Sequence, residues 1–157
     1  MAKKPKAGKK FKYGLETVLK VRGIREKKEQ EKFAEKKRAY LTEKDVEDKL
    51  RDKKHGEQDE IREVFSEKGP VSDFQKVMRR HAHLVVLKGE IDKQVEKVIE
   101  ASQRLETQRE NLIKSMKDKK IMEKDKENKF EDYTKLMQDL EIKFLDEIAT
   151  QRFRHEK

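Results

Sequence analysis

The sequence predicts an all-α protein made of two long helices that form an antiparallel coiled-coil hairpin. Three observations carry this. Charged residues make up 48% of the chain and apolar ones only 32%, too few to close a compact core against chain entropy. Good helix formers dominate, and the 157 residues include only two Pro and six Gly. Apolar residues also recur in an unbroken 3-4 pattern through the second half of the chain, which is the mark of a coiled coil and not of disorder.

The elements follow in order. Residues 1–12 are a basic tail with six lysines and no acid. The remaining body is nearly balanced, so most of the net charge of +9 sits in or beside that tail. Such a segment is solvated by default and can attract nucleic acid, anionic lipid or an acidic protein surface. Residues 13–157 form a single coiled-coil domain. Its first helix is expected over about 13–67. With heptad position a at Leu19, Glu26, Phe33, Tyr40, Glu47, Lys54 and Ile61, position d falls on Leu15, Arg22, Glu29, Lys36, Glu43, Leu50, Glu57 and Val64. Charged residues fill many of these places, so the stripe is thin, and long Lys and Arg stems must cover apolar surface there.

The break is Lys68-Gly69-Pro70-Val71, with a loop over 68–72. Gly suits a helix end and Pro cannot continue one. Ser72 with Gln75 reads as a capping box for a second helix over about 73–153. Its frame takes Phe74 as a. The d column then runs from Val77 through Leu84, Ile91, Val98, Leu105 and Leu112 to Leu140, and eight of its ten residues are apolar or aromatic. The a column (Phe74, His81, Lys88, Val95 and onward to Phe144) is apolar at six of eleven places. A short loop makes the helices antiparallel neighbours. A register in which facing residue numbers sum to 138 brings Ile61 to Val77 and Phe33 to Leu105, and it sets Leu19 against Lys119. Such a poorly matched rod is expected to fray at its open end.

The helices differ in length. At about 1.5 Å per residue they measure about 80 and 120 Å. Everything from Phe130 onward then projects past the first helix, including Tyr133, Met137, Leu140, Phe144, Leu145, Ile148 and Phe153. An apolar stripe without its intramolecular partner predicts another one. The alternatives are that the N-terminal segment, with Phe11, bends back over part of it, or that the last turns fray. A second feature is HAHLVVL at 81–87, where Val85, Val86 and Leu87 leave the predicted seam. It reads either as a locally wider core or as a partner contact.

Catalytic chemistry is missing. There is no Cys, which excludes disulfides and thiolate metal sites. His81 and His83 point to different faces of a helix, and Gly8-Lys9-Lys10 lacks the rest of a phosphate loop. On a rod nothing encloses carboxylates to shift their pKa. The chain is expected to be no enzyme and to need no cofactor or metal. No stretch is long and apolar enough to span a membrane, and MAKKPKAGKK lacks the apolar core of a secretory signal. A cytoplasmic location is expected.

Two stretches resemble a known family. FKYGLETVLKVRGIREKKEQEKFAEKKR, at 11–38, is similar to the opening of the FliJ family of flagellar export proteins, with Phe11, Leu15, Glu16, Leu19 and Arg22 matching. LDEIATQRF, at 145–153, resembles that family's ending through Asp146, Glu147, Ala149, Arg152 and Phe153. The resemblance implies a hairpin similar to the γ stalk of rotary ATP synthases, one end of which enters the pore of a hexameric flagellar export ATPase. Phe11 and Leu15 would join the projecting residues Phe130–Phe153 at that contact. It also implies contact with the cytoplasmic domain of the export-gate protein FlhA through a stripe passing His83, Leu87, Glu90 and Gln94, of which Glu90 and Gln94 depart from the family's apolar-or-His pattern. Escort of export chaperones, a place at the inner face of the membrane through partners, and a counterpart in virulence-type secretion are implied as well. No specific nucleic acid is expected. Two rival readings stay open: a basic coiled coil that binds nucleic acid through its tail, and a structural homodimer whose projecting ends pair.

Overall fold

The computed structural model of the chain describes residues 10–66 and 74–155, and the side chains of all of these except 66 and 153–155. The loop at 68–72, with its Gly-Pro break, and the Ser72 cap lie outside the described residues, as does most of the basic tail.

The chain is all-α, and its two helices pack against each other as an antiparallel coiled-coil hairpin. Helix α1 is Glu16–Ser66 and helix α2 is Phe74–His155. The Glu16 amide donates to the Tyr13 carbonyl at 3.3 Å, which starts α1. The Glu16 carboxylate suits the positive end of the helix dipole there. Same-helix pairs such as Lys49–Asp45 and Arg104–Glu100 add a few tenths of a kcal/mol each.

The chain divides into two compact units, Lys28–Ile113 and Met1–Lys27 with Lys114–Lys157. In the Lys28–Ile113 unit, α1 uses both columns read from its sequence. Glu29, Phe33, Lys36, Tyr40, Glu43, Glu47, Leu50, Lys54, Glu57, Ile61 and Val64 are all buried or half-buried.

Helix α2 departs from the expectation in one column. Its d residues Val77, Leu84, Ile91, Val98, Leu105 and Leu112 do face the seam. The other seam column is not that of Phe74, His81 and Lys88, which are exposed, although Val95 of the same column is half-buried; it is Arg80, Leu87, Gln94, Ala101 and Gln108. Leu87 is 2% exposed, Gln94 5%, and Phe74 65%. The physical reason is that polar side chains enter this seam where α1 supplies a partner. The Gln94 amide donates to the Glu43 carbonyl at 2.9 Å and to its carboxylate at 2.6 Å. The Gln108 amide donates to the Glu29 carboxylate at 2.5 Å. The Arg80 guanidinium donates to Glu57 at 2.7 Å and also pairs with Glu60. A buried polar group that keeps its hydrogen bond escapes the penalty that would otherwise exclude it.

These three contacts also settle the register. Facing numbers sum to 137 in each, one residue from the expected sum, and the contacts recur every fourteen residues. Leu87 and Ala101 occupy the heptads between them. A slip of seven would set Glu57 against Leu87 and Glu43 against Ala101. Each carboxylate would lose its donor at about 1–3 kcal/mol. The polar pairs therefore discriminate against a slip that the heptad repeat alone would tolerate. Glu47, 5% exposed, is served from its own helix by Lys44 at 2.9 Å and Arg51 at 2.7 Å. Those two hydrogen bonds, Lys44 first, hold its carboxyl below the usual range.

In the Met1–Lys27 and Lys114–Lys157 unit the seam is more polar. Leu19, Arg22 and Glu26 of α1 are half-buried, and Ser115 and Met122 of α2 are buried. The poor apolar match expected at Lys119 is met by charge instead. Lys119 pairs with Glu26 at 2.9 Å, Lys126 with Glu16 at 2.7 Å, and Arg22 donates to the Asp118 carbonyl at 2.6 Å.

Candidate functional site: the end of the second helix and its aromatic clasp

The chain ahead of α1 carries Phe11 and Tyr13, and both turn onto α2. Tyr13 is 4% exposed. Its hydroxyl donates to Asp125 Oδ2 at 2.6 Å and approaches the Met122 carbonyl at 3.5 Å, and Lys129 Nζ lies 5.4 Å from its ring centre. The hydrogen bond to Asp125 comes first, then burial and the carboxylate charges, in pushing the Tyr13 hydroxyl up to about 12. The same bond, with that of Lys129, holds Asp125 below the usual carboxylate range. Phe11 packs edge-on against Phe130 at 5.3 Å between ring centres and at a tilt against Tyr133 at 5.6 Å. Aromatic pairs at such distances and tilts add about 0.5–1.5 kcal/mol beyond area burial.

This clasp moves the start of the overhang. Phe130 and Tyr133 do not project past the N-terminal part of the chain, because Phe11 covers them in part. Phe130 stays 52% exposed and Tyr133 is half-buried. The alternative in which Phe11 bends back therefore holds for these two positions.

Among the described residues, the ring contact of Phe11 with Tyr133 is the farthest that the N-terminal lead reaches along α2. Leu136 (56%), Leu140 (45%) and Leu145 (58%) are bare, as are Met137 and Ile142, while Phe144 and Ile148 are half-buried. Positions 133, 136, 137, 140, 144 and 148 follow the 3-4 spacing, so they continue one helical face. The backbone of Phe153 is helical, and its side chain lies outside the described residues. Leu15, just ahead of α1 and read as its first d residue, is exposed at 41%.

The early part of α2 divides the second predicted contact. His83 and Glu90 are exposed, whereas Leu87 and Gln94 are buried in the helix–helix seam. A stripe through those four residues is thus not an accessible surface, because the polar Gln94 column is the seam column. HAHLVVL splits likewise: Leu87 is core, while Val85 (62%) and Val86 (57%) face outward. With Phe74, Met78 and Ala82, Val85 completes an i, i+4, i+8, i+11 stripe, all of it exposed and none of it charged. Heptad counting assigned Phe74 to the seam, so the sequence singled out only the Val85–Val86 end of this surface, as a wider core or a partner contact, and missed its continuation through Phe74 and Met78.

Among the described residues no cluster of His, Asp and Glu could hold a metal ion, and no helix is long and apolar enough to cross a membrane. The arrangement offers docking faces on α2 and a ladder of ion pairs.

A family model, described as Flagellar FliJ protein, matches residues 11–157. The fold is similar to a solved structure of a putative YscO homolog, CT670, from Chlamydia trachomatis. The two are 23% identical with a TM-score of 0.58, over 94% of this chain and 98% of that one. No curated protein matches the chain.

Proposed function

The chain belongs to the FliJ family of flagellar proteins, and we propose that it serves as the central stalk of a hexameric type III export ATPase. The observation that carries this reading is the face of α2 past the aromatic clasp. Leu136, Met137 and Leu140 are exposed where α1 no longer accompanies the helix. A single helix with one apolar face fits a narrow socket lined by apolar side chains, and burial of that face would drive its insertion. Phe144, Ile148 and Phe153 extend the same contact. Phe11, Tyr133 and Phe130 form its collar, with Leu15 beside them.

The contact with the cytoplasmic domain of FlhA is proposed for the outward stripe Phe74, Met78, Ala82 and Val85, flanked by His83. Leu87 and Gln94 hold the hairpin together instead. Escort of export chaperones and a place at the inner face of the membrane, reached through these partners, complete the proposal. Flagellar and virulence-type apparatuses share this arrangement in the family resemblance, and the same stalk role applies in either.

Co-purification with the cognate hexameric ATPase tests the reading. A chain truncated after Leu136 keeps the Tyr13–Asp125 bond and the Phe11 clasp, so the hairpin is retained. It is expected to lose both ATPase binding and stimulation. Full stimulation by the truncated chain would show that the contact lies elsewhere. Sedimentation of the full chain alone addresses the homodimer reading, which requires a stable dimer that Phe144→Glu disrupts.

A further inference from the structure

The first turns of α1 carry a surface that the hairpin leaves unused. Over residues 10–27 every exposed charge is basic: Lys10, Lys12, Lys20, Arg25 and Lys27. None of these five makes an ion pair among the described residues. The two acids of the segment, Glu16 and Glu26, are half-buried and pair with Lys126 and Lys119. Farther along α1 the exposed charges alternate in sign, as in Glu31, Lys32, Glu35 and Lys37.

Aliphatic side chains share this basic surface. Val21 is 59% exposed and Ile24 56%. At about 100° of turn per residue, both fall opposite the seam residues Leu19, Arg22 and Glu26. Lys20 and Lys27 flank them on one side and Arg25 on the other. An apolar pair between two rows of cations is the pattern of a helix that lies in a lipid headgroup layer. The apolar pair enters the acyl boundary, and the long Lys and Arg stems let their charges reach lipid phosphates on either side.

Other occupants fit less well. Bases stack on aromatic side chains, and no aromatic is exposed over residues 10–27. An acidic protein groove would match the charge, but Val is scarce among the residues that anchor protein contacts. The same face of a second copy is repelled by like charge.

We propose that this face of α1, with Val21 and Ile24 at its centre and Lys20, Arg25 and Lys27 at its edges, binds the surface of an anionic lipid bilayer directly. Among the described residues no helix can cross a membrane, so the contact is superficial and reversible. The stalk reading reaches the membrane only through partner proteins; this contact is additional to it and is tested without them.

The chain has no Trp, so Ile24→Trp in the full chain is a single fluorescent reporter. Leu41→Trp, at another exposed site of α1, is its control. With vesicles of phosphatidylglycerol and phosphatidylcholine, the Ile24→Trp emission is expected to shift to the blue and to be quenched by brominated acyl chains, while that of Leu41→Trp stays in place. Each Lys or Arg near an anionic surface contributes about fivefold in affinity, so Lys20→Gln, Arg25→Gln and Lys27→Gln together are expected to weaken vesicle co-sedimentation about a hundredfold. Val21→Ser with Ile24→Ser is expected to weaken it about tenfold. All five side chains are exposed, so thermal unfolding is expected to stay the same in both variants. Vesicle binding by the triple Gln variant as tight as that of the unaltered chain would overturn the proposal. So would equal binding to pure phosphatidylcholine, an unmoved Ile24→Trp emission, or single-stranded RNA that binds through the same three cations when vesicles do not.

Discussion

Leu87→Ala separates the two roles open to this residue, seam and partner contact. Leu87 is 2% exposed, in the heptad between the Arg80–Glu57 and Gln94–Glu43 pairs. Truncating a fully buried Leu costs about 2–5 kcal/mol, the spread reflecting how far the site collapses. A seam between two helices has solvent on both flanks and relaxes more readily than a closed core, so the expected cost is near the lower end, about 2–3 kcal/mol. Leu140→Ala removes the same atoms from a bare face and is expected to change stability by less than about 0.5 kcal/mol. Urea unfolding followed by far-ultraviolet circular dichroism, with linear extrapolation, gives both values. If Leu87→Ala and Leu140→Ala destabilise equally, the assignment of the α2 seam to the Leu87–Gln94 column is wrong.

Other outcomes follow from the same geometry. Gln94→Leu strips the Glu43 carboxylate of its amide donor and is expected to destabilise the hairpin by about 1–3 kcal/mol although it adds apolar surface; the same urea series would reveal an unexpected gain. A Cβ at Gly23 or Gly56 would meet no atom within 4 Å, so Gly→Ala at either is expected to stabilise by about 0.5–1 kcal/mol in thermal unfolding. Tyr13 is raised from 10.0 to about 12, so its contribution is whole below pH 10 and is lost as pH climbs toward 12. The depressed Asp125 acts in the opposite sense: its contribution is present above the ordinary carboxylate pKa and fades as pH falls below it. Tyr13→Phe is expected to flatten the alkaline limb of the stability–pH curve relative to the unaltered chain, and an unchanged limb would remove Tyr13 from the clasp.

Much of this architecture is legible in the sequence where side-chain chemistry and position agree. Both α1 columns from Leu19 to Val64 face the seam although more than half of their members are acids or bases, because the spacing carries the signal even when the residues are charged. The register is legible to within one residue, facing numbers summing to 137 and not 138. The second α2 column is not legible, and the reason is chemical. Gln94, Gln108 and Ser115 look like surface residues until the carboxylates opposite the two glutamines are known, while Phe74, Met116 and Phe130 look like core and are exposed. A count of apolar residues favours the wrong column whenever polar groups are paired inside and apolar groups await a partner outside. The overhang is readable from the difference in helix length. Its true starting point is not, because it depends on how Phe11 and Tyr13 leave the first turn of α1.

The central claim is that the bare face of α2 past Tyr133 is the part that engages the export ATPase. Stimulation of ATP hydrolysis by the full chain and by a Leu136→Glu, Leu140→Glu variant tests it most directly. The account predicts that the variant unfolds at the same temperature as the unaltered chain and no longer stimulates. Undiminished stimulation with an intact hairpin would contradict it.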